Sequence, residues 1–158
     1  MELIVAVDQG GGIGLNGRLI YSLPEDLKRF KQITMGKTLV MGRGTFLSLP
    51  GQRPLTGRVN CVLSSRADEM QRRFPAGELG PFFFRSAEEF LAAHGSDDVI
   101  CIGGGSVYRL FLPMCDTAYV TEIHDRREAD TFFHLEGSWQ CVQREEREGF
   151  DFCTYQRR

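Results

Sequence analysis

The sequence predicts an α/β domain built on a mixed, mostly parallel central sheet, with about eight strands, about four flanking helices and an antiparallel C-terminal edge. Three observations predict it. Short apolar runs rich in β-branched residues alternate with helix-period segments through the first two-thirds of the chain, the order that parallel strands with crossover helices require. From Thr117 onward the pattern is strand after strand, which suits an antiparallel edge. A length of 158 residues with 42% hydrophobic content fits a single domain, 1–158, with a real core.

The first element, 2–8, reads as a buried strand and leads into a glycine-rich loop over 9–21. A helix is expected over 22–34. Ser22 and Glu25 have the S-x-x-E spacing of a capping box, and Pro24 falls in the first turn, where its missing N–H costs little. At about 100° per residue, Leu23, Leu27, Phe30, Ile33 and Thr34 share one face, with Lys28, Arg29, Lys31 and Gln32 on the flanks and back. A strand is expected over 37–42, a short helix over 43–48 and a strand over 58–63. A polar, charged stretch then leads to a strand over 82–85 and a helix over 86–93, where Ser86 and Glu89 repeat the capping-box spacing. The strand 99–102 runs through Gly103-Gly104-Gly105 into a helix over 106–112, stopped by Pro113. Strands over 117–123, about 138–146 and about 150–156 complete the chain.

A net charge of −2 argues against nucleic acid or an anionic membrane as partner. No apolar run approaches the ~18 residues of a spanning helix, and no charged-then-apolar signal opens the chain, so the expected setting is cytoplasmic. Cys61, Cys101, Cys115, Cys141 and Cys153 are odd in number and lack C-x-x-C spacing, which reads as small core residues in a reducing compartment. His94, His124 and His134 are far apart in sequence, and no metal site is expected.

Asp26 interrupts the apolar stripe of the first helix, falling between Phe30 and Ile33. An acid in a first turn ordinarily serves only the helix dipole, an effect of ~0.3–1 kcal/mol, whereas full burial can raise a carboxyl pKa by ~3–5 units. In a dry site desolvation wins. Asp26 then titrates above ~3.9 and can bind an amino-pyrimidine ring or assist proton transfer.

Gly12 to Gly17 matches G-x-G-x-x-G after a strand, but no helix opens at Gly17, and no Asp or Glu occurs from Leu27 to Ala67. A Rossmann fingerprint needs both. The glycines suit a mobile loop that closes over a ligand. The acid-free stretch holds Lys28, Arg29, Lys31, Lys37, Arg43, Arg53, Arg58 and Arg66. A near-neutral chain with one uniformly basic third is expected to bind a small polyanion there, the plainer alternative being a solvated basic face. Gly42-Arg43-Gly44-Thr45 leaves a strand and opens a helix, so backbone N–H groups face a phosphate. Leu63-Ser64-Ser65-Arg66 ends the next strand with two hydroxyls and a guanidinium. Arg43 and Arg66 flanking a ribose 2′-phosphate favour NADPH over NADH. Gly103-Gly104-Gly105-Ser106 lets backbone approach a pyrophosphate, beyond the one or two glycines that a tight turn needs.

Together these pieces resemble dihydrofolate reductase. The resemblance runs from Ile4 to Arg158 and rests on Ile13-Gly14 with Asn16-Gly17, Leu23-Pro24-Glu25-Asp26-Leu27 with Phe30, Val40 to Thr45, Arg53-Pro54-Leu55 with Gly57-Arg58, Leu63 to Arg66, Ile102 to Tyr108, and Thr121. It implies a dihydrofolate-reductase-like fold and reduction of 7,8-dihydrofolate by NADPH for one-carbon metabolism, in a monomer open to antifolates such as trimethoprim or resistant to them. By the resemblance Asp26 holds the pterin amino group and N3 and promotes protonation at N5, Thr121 bridges Asp26 and the pterin, and Tyr21 completes the catalytic set from the active-site loop. Ile4, Val5, Leu27, Phe30, Lys31, Leu49 and Arg53 contact the substrate, and Arg58 grips its glutamate α-carboxylate. Ile102 and Tyr108 serve both ligands. Ala6, Ile13, Gly14, Asn16, Gly17, Arg18, Leu19, Gly42, Arg43, Gly44, Thr45, Leu63, Ser64, Ser65, Arg66, Gly103, Gly104, Gly105, Ser106 and Val107 hold NADPH. The chain departs from the family pattern at Ile20-Tyr21, where Pro-Trp is usual, and at Gly51-Gln52, a small insertion. Two other readings are a riboflavin-pathway-type pyrimidinone reductase, which has no need of Asp26 opposite Arg58, and a non-catalytic NADP-binding sensor.

Overall fold

A computed structural model describes residues 1–158. Strand β1 (Glu2–Val7) lies between two parallel neighbours, β7 (Val99–Gly103) and β8 (Thr117–Ile123), which explains why Leu3, Ile4 and Val5 are buried in succession. On the far side of β7 follow β4 (Thr38–Gly42), β5 (Val59–Leu63) and β6 (Phe82–Phe84), all parallel. On the far side of β8 lies β11 (Phe150–Arg157), antiparallel, and then β10 (Trp139–Arg147). The eight-stranded order is therefore β10-β11-β8-β1-β7-β4-β5-β6. The expected mostly parallel sheet with an antiparallel C-terminal edge is present.

Helices α1 (Pro24–Thr34), α2 (Arg43–Ser48), α3 (Ala67–Arg73), α4 (Ala87–His94) and α5 (Gly105–Phe111) supply the crossovers. Alternation along each strand divides the core. Leu3, Val5, Val40, Cys61 and Cys101 face Phe90, Val107 and Phe111. Ile4, Leu39, Met41, Val62 and Ile100 face Phe46, Met70 and Phe83.

Several expectations are corrected. Helix α1 starts at Pro24, and the anticipated capping box of Ser22 and Glu25 is not formed: Leu23 is the N-cap, extended at φ −117°, with no side-chain cap. The reason is Pro24 itself. The residue before a proline is excluded from helical backbone, so no turn can begin ahead of it. At α4 no proline interferes, and Ser86 Oγ accepts from the Glu89 N–H at 3.1 Å. Five α-helices occur rather than about four. The unanticipated α3 occupies the polar stretch after Arg66 and buries only Ala67 and Met70, too little for a visible apolar period. The glycine-rich segment is a small sheet and not a loop throughout. Its strands β2 (Gly12–Leu15) and β3 (Arg18–Leu19) form a hairpin across Asn16 (φ 52°) and Gly17 (φ 76°), and β2 also pairs with β9 (Thr131–Phe132). Asn-Gly with both φ positive is the two-residue turn that the twist of a hairpin favours.

Candidate active site

Strand register sets the site. Gly42 stands opposite Leu63, Met41 opposite Gly103, and Ala6 opposite Thr121. The turns that leave β4, β5 and β7 therefore sit side by side along the carboxyl edge of the sheet, where open α/β sheets bind ligands. The glycines there differ in their reasons. A Cβ on Gly42 would lie 3.1 Å from Val107 Cγ2, and one on Gly103 (φ 113°) would lie 3.0 Å from the Tyr108 ring. A Cβ on Gly44 would meet nothing within 4 Å. Arg43 and Arg66 are exposed, and the ion pairs of the molecule include neither. Ser64 Oγ accepts from the Arg66 N–H at 3.1 Å and shapes that turn.

Helix α1 carries Asp26 to the sheet. Thr121 Oγ1, 2% exposed on β8, donates to Asp26 Oδ1 at 2.5 Å. Burial pushes the Asp26 carboxyl above its ordinary value, against the opposing pull of the Thr121 hydrogen bond and the Arg29 cation. The adjoining pocket is lined by Ala6, Ile13, Leu19, Ile20, Tyr21, Leu23, Leu27 and Ile123, with Asp26 its only charged residue. Leu19 and Leu27 are 78% and 56% exposed at this place, an apolar surface that nothing in the chain covers.

Farther along α1, Arg58 is 5% exposed. Its Nη1 donates to Thr34 Oγ1 at 3.1 Å and its Nε to the Thr56 carbonyl at 2.8 Å, but it pairs with no carboxylate. Burial pushes its pKa down. Residues 26 and 34 are about 12 Å apart along the helix axis at ~1.5 Å per residue. One face of α1 thus spans a half-buried acid at one end and an uncompensated cation at the other.

Ile4, Phe30, Leu49 and Ile102 join one cluster on this side of the sheet. Val5 points into the opposite cluster, so only its backbone can reach the site. Tyr108 donates its hydroxyl to the Ile4 carbonyl at 2.7 Å and braces β1. Tyr21 lines the pocket, but its hydroxyl is engaged by Asp8 Oδ2 at 3.1 Å. Asn16 N–H donates to Asp130 Oδ2 at 2.9 Å, tying the hairpin turn to the segment before β9. Arg18, Lys31 and Arg53 are exposed.

Two neighbours of the site are placed differently from what the sequence reading assigned them. Arg29, expected on the flank or back of the helix within the basic stretch, is half-buried with its guanidinium 4.5 Å from the Phe152 ring centroid, and its Nη1 is buried without a partner. Its spacing of three residues from Asp26 was the available signal. Asp8 is the second. The basic third of the chain is also less uniform than it reads, because Lys37 pairs with Glu2 at 2.5 Å and Arg58 lies inside.

A sequence profile described as dihydrofolate reductase matches residues 1–157. The chain is 35% identical to dihydrofolate reductase HdrB of Haloferax volcanii, over 99% of this chain and 82% of that one. It is 39% identical to the dihydrofolate reductase of Mycobacterium leprae, over 87% of each. Among solved structures, the dihydrofolate reductase of Enterococcus faecalis complexed with NADP(H) and RAB-propyl superposes with a TM-score of 0.80 at 36% identity, covering 99% of this chain and 95% of that one. The turns along the sheet edge and the Asp26–Thr121 pair stand within a match that leaves almost no residue outside it: the chain belongs to the dihydrofolate reductase family and is an oxidoreductase of that kind.

Proposed function

We propose that this enzyme reduces 7,8-dihydrofolate to 5,6,7,8-tetrahydrofolate with NADPH, hydride passing to C6 and a proton to N5. The observation that carries the reading is the Asp26–Thr121 pair, the single charged position of an apolar pocket beside the glycine turns. A carboxylate there accepts from the pterin amino group and N3, and its raised pKa lets it hold a proton in the range where N5 must gain one. Arg58, buried without a counter-ion, suits a ligand carboxylate about 12 Å from the ring site, the layout of a folate with its glutamate tail.

The residues present fit the dinucleotide. Gly44 is free of internal packing, so backbone can approach a phosphate, and Arg43 and Arg66 are unpaired cations beside it. The relative complexed with NADP(H) supports the same cofactor here. When bound, NADPH supplies the hydride; the protein orients the rings and excludes water.

The test is loss of NADPH absorbance on adding dihydrofolate, repeated with NADH. Turnover with NADPH and weak use of NADH is expected. NADPH binding without turnover would replace this reading with that of a sensor. Asp26→Asn is expected to cut turnover at neutral pH by about a hundredfold or more while NADPH affinity stays within about twofold.

A further inference from the structure

Asp8 follows β1 and lies outside the lining of the pocket. It is 5% exposed and pairs with no cation. Its two oxygens have different tasks. Oδ1 accepts from the N–H groups of Gly10 (2.9 Å) and Gly12 (2.8 Å) and closes the local turn. Oδ2 reaches outward and accepts from the Tyr21 hydroxyl (3.1 Å) and the Arg127 N–H (3.0 Å), the latter 119 residues away. An aspartate that only closed a turn would have no need of the second pair.

Tyr21 is held from two further directions. The Arg127 guanidinium lies 4.3 Å from its ring centroid, and Arg127 Nη1 donates to the Ile20 carbonyl at 2.8 Å. The hydroxyl, one ring face and the preceding carbonyl are thus all fixed, while the ring borders the pocket that contains Asp26. Burial opposes ionisation of Asp8, but donors from Arg127, Gly12, Gly10 and Tyr21 hold it below the ordinary carboxylate value. Burial and the Asp8 carboxylate push the Tyr21 hydroxyl to about 12, so it remains a donor across the working range.

We propose that Asp8 is a positioning residue for the reductase reaction, acting through the Tyr21 hydroxyl to hold that ring as a fixed wall at the reacting end of the pocket. The proposal rests on the reductase reading given above. The Ile20-Tyr21 sequence makes it possible. A phenol places its one polar atom at the far end of the ring, within reach of a carboxylate beyond the pocket.

The test is a double-mutant cycle on the hydride step, measured as single-turnover oxidation of NADPH by dihydrofolate, with Tm recorded for each protein. D8N keeps an amide oxygen for Gly10 and Gly12 and removes the acceptor shared by the Tyr21 hydroxyl and the Arg127 N–H. Y21F keeps the ring and removes only the donor. Each is expected to slow the hydride step about fivefold to twentyfold with Tm changed by only about 2 °C, and the double variant to be no slower than Y21F. Equal slowing by D8N with and without Y21F would overturn the proposal, as would a fall in Tm with an unchanged hydride step. No turnover in the unaltered protein overturns the reductase reading and the proposal with it. Turnover with an additive cycle overturns the proposal alone.

Discussion

At Asp26 the fold works against itself. A carboxyl whose pKa is raised by folding favours the native state while protonated; that contribution is complete below the unfolded value and is lost as pH rises through the raised one. At neutral pH Asp26 is therefore a destabilising residue, and the variant Asp26→Asn that loses turnover is expected to melt higher than the parent, a direct comparison of Tm at pH 7. Arg29 acts in the opposite sense. Its cation favours the charged form of Asp26, so Arg29→Leu is expected to move the carboxyl further up. Turnover that depends on the protonated acid falls as pH rises, and in Arg29→Leu that limb moves to higher pH. An unmoved limb in the pH–rate profile would remove Arg29 from the electrostatics of the site. Asp26 was legible in the sequence because it breaks a helical stripe. Arg29 was less so. Its partner Phe152 lies on β11, and no local period points to it.

At the scale of the element, two serines with the same motif behave differently. Ser86 caps α4, and Ser86→Ala is expected to cost about 1 kcal/mol, read as a lower Tm with unchanged turnover. Ser22 caps nothing, and Ser22→Ala is expected to leave Tm within about 1 °C of the parent. The motif is identical in the two places, and only the proline two residues on tells them apart. The hairpin β2–β3 teaches a related lesson. Its Asn16-Gly17 turn was present in the sequence, but the surrounding glycines drew attention to mobility and away from pairing. The pairing partner β9 is two residues long and more than a hundred positions downstream, which leaves little local pattern to detect.

At the scale of the molecule, the alternation of strand and helix and the antiparallel tail were readable along the chain. The strand order was not. Insertion of β1 between β7 and β8 brings Ala6 beside Thr121, and the adjacency of β7, β4 and β5 aligns the glycine turns. These are non-local facts, set by which faces bury best together. Arg58 is a buried cation that the assembled molecule leaves without a counter-ion. Arg58→Leu is expected to raise the dihydrofolate KM about tenfold or more, with a substrate lacking the glutamate tail unaffected, as steady-state kinetics on the two substrates would show. Because the cost of that lone cation falls on the empty protein, a tail-bearing ligand relieves it on binding and shifts the folding equilibrium by mass action. Inside a cell, where the unfolded fraction is steadily degraded, the amount of this enzyme would then track the supply of its own substrate. An inhibitor would likewise make its target more abundant, to an extent set by its concentration relative to its Kd.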